Sequence, residues 1–565
     1  MRGAVCLDGD RRMPRWARSR RTGPPGWDAP DSDVRRALPA RFPRPLLKGM
    51  RRKSLRVGKR GGLGLHLRPG MAFGANAMEL QMSQSPPSSP EAYDDVAPIE
   101  RFPWLTQRHL VFFVIGWLAL FSLGSLFVAN PFTSEPSASA SPDYWHVMYL
   151  HGLLVGMVGL LALLTCGVLQ LRSMHTRMWI VGGVLFMTVL TAVGGIFDRQ
   201  IPGAEIPMWV QIFGFFALDE ICIVLLLGMI AEWRSGAPNA RTLPYVSAFL
   251  GAASMFVAAV MGHLAGWILE FGNFPSIIGS YAGGLGEKID DFEANLVGSH
   301  SHDMVVAVMA VSVSIAVVQF GYHSLTGSSR TVARIGLALV AIGAIIMTVM
   351  YAAMAFTSWG PPTLFQSADG TNGIAGDDII TGVFVMLGGL VALIAVVVGN
   401  GHAQELVRRP VRIAALWSWA ALFATVVVAG YSIELNTSYF GAGDPKAAGA
   451  ANDAVYTWLH QDLGLFLMPA MVLVMLAVAR FVMPRHQDLI GWGAIIGTTV
   501  TFIGGMIFVF VNPALHGPGY DVSAVGLVVI GLAVLGTMWY GALHTIGGMP
   551  ALRSGVPHAA GGHGR

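Results

Sequence analysis

Residues 299–320 read SHSHDMVVAVMAVSVSIAVVQF, and this stretch decides the fold. It opens with two histidines and an aspartate and continues as an apolar run of the length that crosses a bilayer, which is about 20 residues. A histidine or aspartate at membrane depth is costly unless it is paired or ligated. The stretch therefore predicts a transmembrane helix that carries a functional site near one end.

Two other apolar segments carry a histidine in a similar place. His151 stands in Tyr149-Leu-His-Gly and His460 in Leu459-His-Gln-Asp-Leu, and a long apolar run follows each of them. Together with His302 they lie at nearly equal intervals along the chain. Equal spacing of similar segments predicts an internal repeat.

The composition is that of an integral membrane protein. Of 565 residues, 53% are hydrophobic and only 12% are charged, whereas soluble domains contain about 25% charged residues. The fold class is predicted to be all-α integral membrane, with twelve transmembrane helices in three pseudo-repeated four-helix units. The predicted spans are 109–130, 145–171, 177–197, 208–231, 244–270, 299–325, 331–356, 377–400, 411–433, 455–482, 488–512 and 521–545.

The distribution of basic residues predicts the orientation. One set of alternate connections is rich in arginine, whereas the Lys and Arg of the opposite set are only Arg199, Lys288 and Lys446. Basic connections stay on the cytoplasmic side. Both termini are therefore predicted to be cytoplasmic, in a multi-pass protein of the cell inner (plasma) membrane. The three histidines then lie near the outer ends of segments 2, 6 and 10.

Three regions follow from the charge and hydropathy pattern. Residues 1–104 form a basic, Pro/Gly/Ser-rich cytoplasmic tail that is predicted to be disordered, and residues 1–70 hold 19 of the 37 Lys and Arg. This tail is either a solvated segment or sequence upstream of the true translation start. Residues 105–548 form the membrane domain, and 549–565 form a short cytoplasmic tail. The lipid bilayer is the expected partner, and no nucleic acid is expected.

Twelve helices with both termini inside, a threefold pseudo-repeat and histidines near the outer ends of helices 2, 6 and 10 resemble the catalytic subunit of the haem–copper oxidases. That superfamily includes the nitric oxide reductases. The stretch Leu150-His151-Gly152 is similar to the family's helix 2 motif. The resemblance covers residues 105–548 in architecture and a few short motifs in sequence. It predicts a divergent member, similar to cytochrome c oxidase subunit I or the nitric oxide reductase large subunit.

The chain departs from this family at the copper site. The family's paired histidines after helix 6 have no counterpart, because no His-His occurs anywhere in the sequence. The family's His-x-His pair is present, as His300-Ser301-His302, but it stands on segment 6 rather than segment 10. Haem is therefore the cofactor that the resemblance implies most directly, and copper is a second candidate without its usual ligand set.

The resemblance implies histidine ligands. We predict His151, His300, His302 and His460 as cofactor-binding residues, with His302 facing His151 or His460 across a gap between helices. Residues two apart on a helix point about 200° apart, so His300 and His302 can serve sites on opposite sides of segment 6. The metal ligands are predicted to be His151, His302 and His460, with His263 in place of the missing pair. The alternative is that these histidines hydrogen-bond to neighbouring helices.

Four carboxyl groups complete the predicted site. Asp303 and Asp462 stand beside the histidines of segments 6 and 10, and Asp219 and Glu220 lie in the middle of segment 4. A carboxyl group inside a membrane is paired or protonated. We predict that these four relay protons or orient an imidazole, and structural hydrogen bonds remain an open alternative.

These residues predict a haem-binding membrane oxidoreductase subunit that transfers electrons to a small acceptor such as oxygen or nitric oxide. A cytochrome c or quinol donor and other oxidase-type subunits would be its partners. Two alternatives stay open. Twelve spans with repeats and intramembrane acids also describe secondary transporters, and the missing copper ligands also fit an oxidase-like scaffold subunit that has lost its metals.

Overall fold

The structure is a computed structural model that describes residues 107–123, 144–200, 205–271, 277–285, 289–357, 363–366, 373–375, 381–399, 410–435, 459, 463–510 and 516–547. The chain divides into two units, Met1–Glu91 and Ala92–Arg565, and every described residue belongs to the second. Both predicted tails lie outside the described residues, as do His460 and Asp462.

Helices make up nearly all of the described residues. In chain order they are α1 (Gln107–Trp117), α2 (Tyr144–Val168), α3 (Met174–Gln200), α4 (Glu205–Arg234), α5 (Leu243–Phe271), α6 (Ile277–Leu285), α7 (Ile289–Gln319), α8 (Gly327–Phe356), α9 (Gly388–Gly399), α10 (Pro410–Leu435), α11 (Met468–Phe481), α12 (Pro484–Phe510) and α13 (His516–Gly547). Helix α1 continues into a π-helical turn, Leu118–Leu123, and another π-helical turn, Thr381–Leu387, precedes α9. Short 3-10 helices, Pro238–Arg241 and Tyr322–Ser324, follow α4 and α7.

A small β-sheet interrupts the helical pattern between α8 and α9. Its two antiparallel strands are β1 (Thr363–Gln366) and β2 (Gly373–Ala375). The predicted spans 331–356 and 377–400 leave a connection here. Pairing of the two strands satisfies backbone polar groups that helices satisfy elsewhere in the chain, and it is the one departure from an all-helical architecture within the described residues.

Nine of the described helices are long and apolar enough to cross a membrane. They coincide with predicted segments 2 to 7 and 10 to 12, which are α2, α3, α4, α5, α7, α8, α11, α12 and α13. Three shorter apolar helical stretches, Arg108–Leu120, Phe384–Gly399 and Pro410–Val426, coincide with segments 1, 8 and 9. A helix satisfies every backbone hydrogen bond within itself, so it is the form in which an apolar segment can enter lipid. The chain is thus a multi-pass membrane protein, while the count of twelve spans stays a prediction.

The three predicted histidine-bearing segments form the centre of the bundle. Helices α2, α7 and α11 contact one another. Between 83% and 94% of their most apolar stretches is buried inside the protein, against 44% to 56% for the other six candidate spans. The helices around this central trio therefore present about half of their surface outward, as lipid-facing helices do, and the trio packs almost entirely against protein.

Two tryptophans form hydrogen bonds between neighbouring helices, in or next to the π-helical turns. Trp117, beside the first of these turns, donates its indole N–H to the carbonyl oxygen of Gly152 on α2 at 3.0 Å. Trp419 of α10 donates to the carbonyl oxygen of Met386 at 2.8 Å, within the second turn. The carbonyl of Met386 belongs to a π-helical turn, whereas that of Gly152 belongs to a regular α-helix. In both cases a buried indole N–H finds an acceptor on another helix.

Candidate histidine site

Four helices bring polar side chains together near the end of the bundle that is predicted to face outward. These side chains are His151 of α2, Asp219 of α4, His263 of α5 and His300 of α7. His300 joins them, because it donates through Nδ1 to the carbonyl oxygen of Ala258 on α5 at 2.7 Å and interacts electrostatically with both His151 and His263. We refer to His151, His263 and His300 as the outer histidine cluster.

Gly262 allows α5 to approach the ring of His300. A Cβ atom at this position would overlap the imidazole of His300, including its Nδ1 and Cε1 atoms. Glycine is the residue that permits such a close approach of backbone to a side chain. The packing of α5 against α7 therefore depends on a glycine next to His263.

We expect Gly262→Ala to lower the free energy of unfolding by about 1–3 kcal/mol, the usual cost of overpacking a filled site. The matched control is Gly182→Ala on α3, because nothing lies within 4 Å of a Cβ built there. That substitution should be neutral, or stabilising by up to about 1 kcal/mol through helix propensity. Thermal unfolding of the two purified variants measures the difference, and equal melting temperatures would contradict the packing of His300 on Gly262.

One turn of α4 holds two members of the outer histidine cluster. A carboxylate oxygen of Asp219, Oδ2, lies 2.6 Å from Nδ1 of His263. The ring of Phe216 stacks on the His263 ring at a centroid distance of 4.7 Å and an interplanar angle of 19°. The neighbouring Phe215 contacts the ring of His151 at 5.8 Å. Helix α4 therefore supplies both an acceptor and aromatic walls for the cluster.

Three histidines of α5 and α7 direct Nδ1 at an oxygen acceptor. A carbonyl or carboxylate oxygen only accepts, so Nδ1 carries a proton in each of these contacts, and Nε2 is the nitrogen that has the lone pair whenever the ring is neutral. This arrangement also orients histidines that bind metals. Nε2 of His263 is buried and has no hydrogen-bond partner. The acceptors and distances are Asp219 at 2.6 Å for His263, Ala258 at 2.7 Å for His300 and Gly298 at 2.8 Å for His302.

His302 lies on a different side of α7 from His300. Its ring stacks on Tyr351 of α8 at 5.5 Å and 21°. The prediction that His300 and His302 serve two sides of their helix agrees with these contacts. His300 interacts electrostatically with His151. The pairing of His302 with His151 or His460 stays a prediction.

Asp303 points to hydroxyl groups. The side chain is fully buried, and its Oδ1 accepts a hydrogen bond from Oγ1 of Thr348 on α8 at 3.0 Å. Its other oxygen, Oδ2, has no hydrogen-bond partner. The sequence analysis offered two roles for Asp303, and the described contacts do not include the orientation of an imidazole. One residue along a helix turns a side chain by about 100°, which directs Asp303 away from the ring of His302.

Asp219 and Glu220 each keep one carboxyl oxygen in the protein interior without a partner, Oδ1 for Asp219 and Oε1 for Glu220. Asp219 contacts His263 of the neighbouring helix α5. The proton-relay role of both residues stays a prediction. The predicted ligand His460 and its neighbour Asp462 lie outside the described residues.

Two side chains that contact predicted site residues, Thr348 and Tyr351, were not predicted, and neither was Ser254, which hydrogen-bonds to Thr348. Their only sequence signal is that each is a polar group inside an apolar span. Such groups are common in membrane helices, where they bond to the carbonyl of the preceding turn. Only the packing of α5, α7 and α8 shows which of them meet.

Within the part of the chain that the structure describes, no three His, Cys, Asp or Glu side chains are grouped so that they could hold a metal ion. Comparison with known protein families, curated proteins and solved structures finds no match to this chain. The resemblance to the haem–copper oxidases therefore stays a prediction carried by residues of this chain alone.

Proposed function

We propose that this chain is a haem-binding membrane oxidoreductase subunit that passes electrons to a small acceptor such as oxygen or nitric oxide. The observation that supports it is the outer histidine cluster, in which His300 of α7 interacts electrostatically with His151 of α2 and His263 of α5 inside apolar helices. Nδ1 of His263 and of His300 is held by an acceptor, which leaves Nε2 as the ligating nitrogen. Histidine at membrane depth that is not required by packing indicates a functional site.

The described residues fit a haem better than a copper ion. Axial ligation of haem takes one or two side chains, and His151 with His300 supplies two from facing helices. A metal ion held by protein side chains alone needs three or more, and the described residues contain no such group. We therefore assign haem ligation to His151 and His300, keep His302 and His460 as the remaining candidates, and assign no role to copper. A haem held there would supply one-electron transfer.

The remaining residues of the cluster would control the surroundings of that group. Asp219 fixes the ring of His263 and keeps its Nε2 directed into the protein. His263 would then act either as a further ligand or as a group that accepts a proton. Phe215 and Phe216 supply flat apolar walls next to two of the imidazoles, and such walls exclude water from a redox site.

We further infer twelve membrane crossings in three four-helix units, with both termini in the cytoplasm and the protein in the plasma membrane. The central position of α2, α7 and α11 supports this repeat, because each is the second helix of its unit. The shorter helices α1, α9 and α10 would complete the count. A cytochrome c or a quinol would be the electron donor, and other oxidase-type subunits would be partners.

A secondary transporter is the second candidate. The observation that favours it is the set of buried carboxyl oxygens without partners on Asp219, Glu220 and Asp303. Acidic groups inside transmembrane helices often mark proton or ion pathways, and carriers place such groups between packed helices. The two candidates differ in what the purified protein contains.

The test is the metal content and the absorbance spectrum of the detergent-purified, full-length protein. We expect iron at a level that matches the protein, a Soret band, and a sharp alpha band after reduction with dithionite, as bis-histidine haem gives. Copper is quantified in the same sample. Absence of iron and of the Soret band, together with substrate-dependent flux into liposomes, would overturn the redox proposal and support the transporter.

A further inference from the structure

A second polar site lies about one helical turn from His300, at the contact of α7 with α5 and α8. It is formed by Asp303 of α7, Thr348 of α8 and Ser254 of α5, which we call the oxygen site. Oγ1 of Thr348 lies 3.0 Å from Oδ1 of Asp303 and 2.5 Å from Oγ of Ser254. The carbonyl oxygen of Ala344 lies 2.9 Å from the same Oγ1 and 3.5 Å from Oγ of Ser254. Four oxygen-bearing groups from three helices thus meet at one point.

The charge balance of the oxygen site is incomplete. Asp303 has no exposed surface, and its Oδ2 has no hydrogen-bond partner. No ion pair of Asp303 occurs among the described residues. An ionised carboxylate in a low-dielectric interior is costly unless a charge of opposite sign accompanies it. The described contacts of Asp303 consist of one hydroxyl donor, Oγ1 of Thr348, and they include no ion pair with a cationic side chain.

From this combination we infer that the oxygen site binds a monovalent cation, and specifically Na⁺. Hard cations take carboxylate, hydroxyl and carbonyl oxygens as ligands, and these are the groups that Asp303, Thr348, Ser254 and Ala344 present. One carboxylate with neutral oxygens balances a single positive charge, whereas a divalent ion would leave a net charge inside the membrane. Side-chain oxygens of transmembrane helices would supply most of the ligands, because the carbonyl group of Ala344 also belongs to the continuous helix α8.

The ion would also join three helices. Ser254 lies well inside α5, Asp303 inside α7 and Thr348 inside α8, so binding stabilises the packed arrangement relative to a separated one. A ligand that binds only the folded state raises stability in proportion to the logarithm of its concentration. The inference does not depend on the proposed haem function, because none of the oxygen-site groups belongs to the outer histidine cluster.

The experiment uses the full-length protein in lipid nanodiscs at constant pH and constant ionic strength, with NaCl replaced stepwise by choline chloride or KCl. We expect the melting temperature to rise with Na⁺ and to level off, with no rise in choline, and ²²Na⁺ to bind with a single saturable component. Asp303→Asn, which keeps the shape and removes the charge, should abolish both effects. Haem content is measured on each sample, so that loss of haem and loss of Na⁺ binding are separated.

Thr348→Val keeps the carboxylate and removes one neutral ligand, so it should raise the Na⁺ concentration needed for half-saturation even if Asp303→Asn folds poorly. Thr498→Val on α12 is the control. It makes the same change of side chain at a buried threonine whose hydroxyl has no hydrogen-bond partner and does not belong to the oxygen site. It should bind ²²Na⁺ like the unaltered protein. Equal melting temperatures in Na⁺, K⁺ and choline, or ²²Na⁺ binding that persists in Asp303→Asn, would overturn the proposal. Equal melting temperatures in the three salts would show that Asp303 is neutralised by a proton and not by a bound cation.

Discussion

Replacement of either histidine of the α2–α7 pair, in His151→Ala or His300→Ala, is expected to abolish the bis-histidine haem spectrum of the purified protein. Each substitution removes one of the two imidazoles that interact across the helix interface. Alanine offers no lone pair, so a haem there would lose an axial ligand and the sharp alpha band of the reduced form. We expect the alpha band to disappear completely and not merely to weaken, and this is the largest functional effect that we predict for the outer histidine cluster.

The control for this result is His175→Ala. His175 is exposed at the start of α3 and lies at the opposite, predicted cytoplasmic end of the bundle. It should leave the spectrum and the iron content unchanged. His302→Ala tests which histidine of α7 is the ligand, because the ring of His302 packs on Tyr351 of α8. Loss of the alpha band in His302→Ala with retention in His300→Ala would show that the ligand assignment is wrong.

The membrane helices could be predicted because their signal is local. An apolar run of about 20 residues must become a helix in lipid, so the chain order and most boundaries follow from composition. The short strands β1 and β2 could not be predicted in the same way, because a few residues in a connection carry no periodic signal. The placement of α2, α7 and α11 at the centre was not predicted, because an apolar run does not show whether its helix faces lipid or other helices.

The sequence names candidate site residues but does not say which of them contact each other. The carboxyl partner of His263 is Asp219, which lies on another helix, α4. Spacing along one helix fixes which residues share a face, but contacts between helices depend on how far each helix is rotated about its axis. Gly262 shows the same limit, since its role depends on the ring of His300 on another helix.

The contact between α12 and α13 is where a single substitution should have the largest effect on stability. A Cβ atom at Gly526 of α13 would overlap the backbone nitrogen and the hydroxyl of Thr501 on α12, and it would lie 2.7 Å from the carbonyl oxygen of Gly497. Ser523 and Thr501 also bond across this contact, with the Ser523 hydroxyl donating to the Thr501 carbonyl oxygen at 3.0 Å. In lipid, such close packing and hydrogen bonding hold helices together.

We therefore expect Gly526→Val to destabilise the protein by about 3 kcal/mol or more, the upper part of the range for overpacking, because two of the obstructing atoms belong to the backbone and cannot rotate away. Gly536→Val on the same helix is the control, since nothing lies within 4 Å of a Cβ built at that exposed glycine. Yield of monodisperse protein and thermal unfolding measure both variants. Similar stability of Gly526→Val and Gly536→Val would mean that α12 and α13 are farther apart than the structure places them, and the hydrogen bond between Ser523 and Thr501 would then be absent as well.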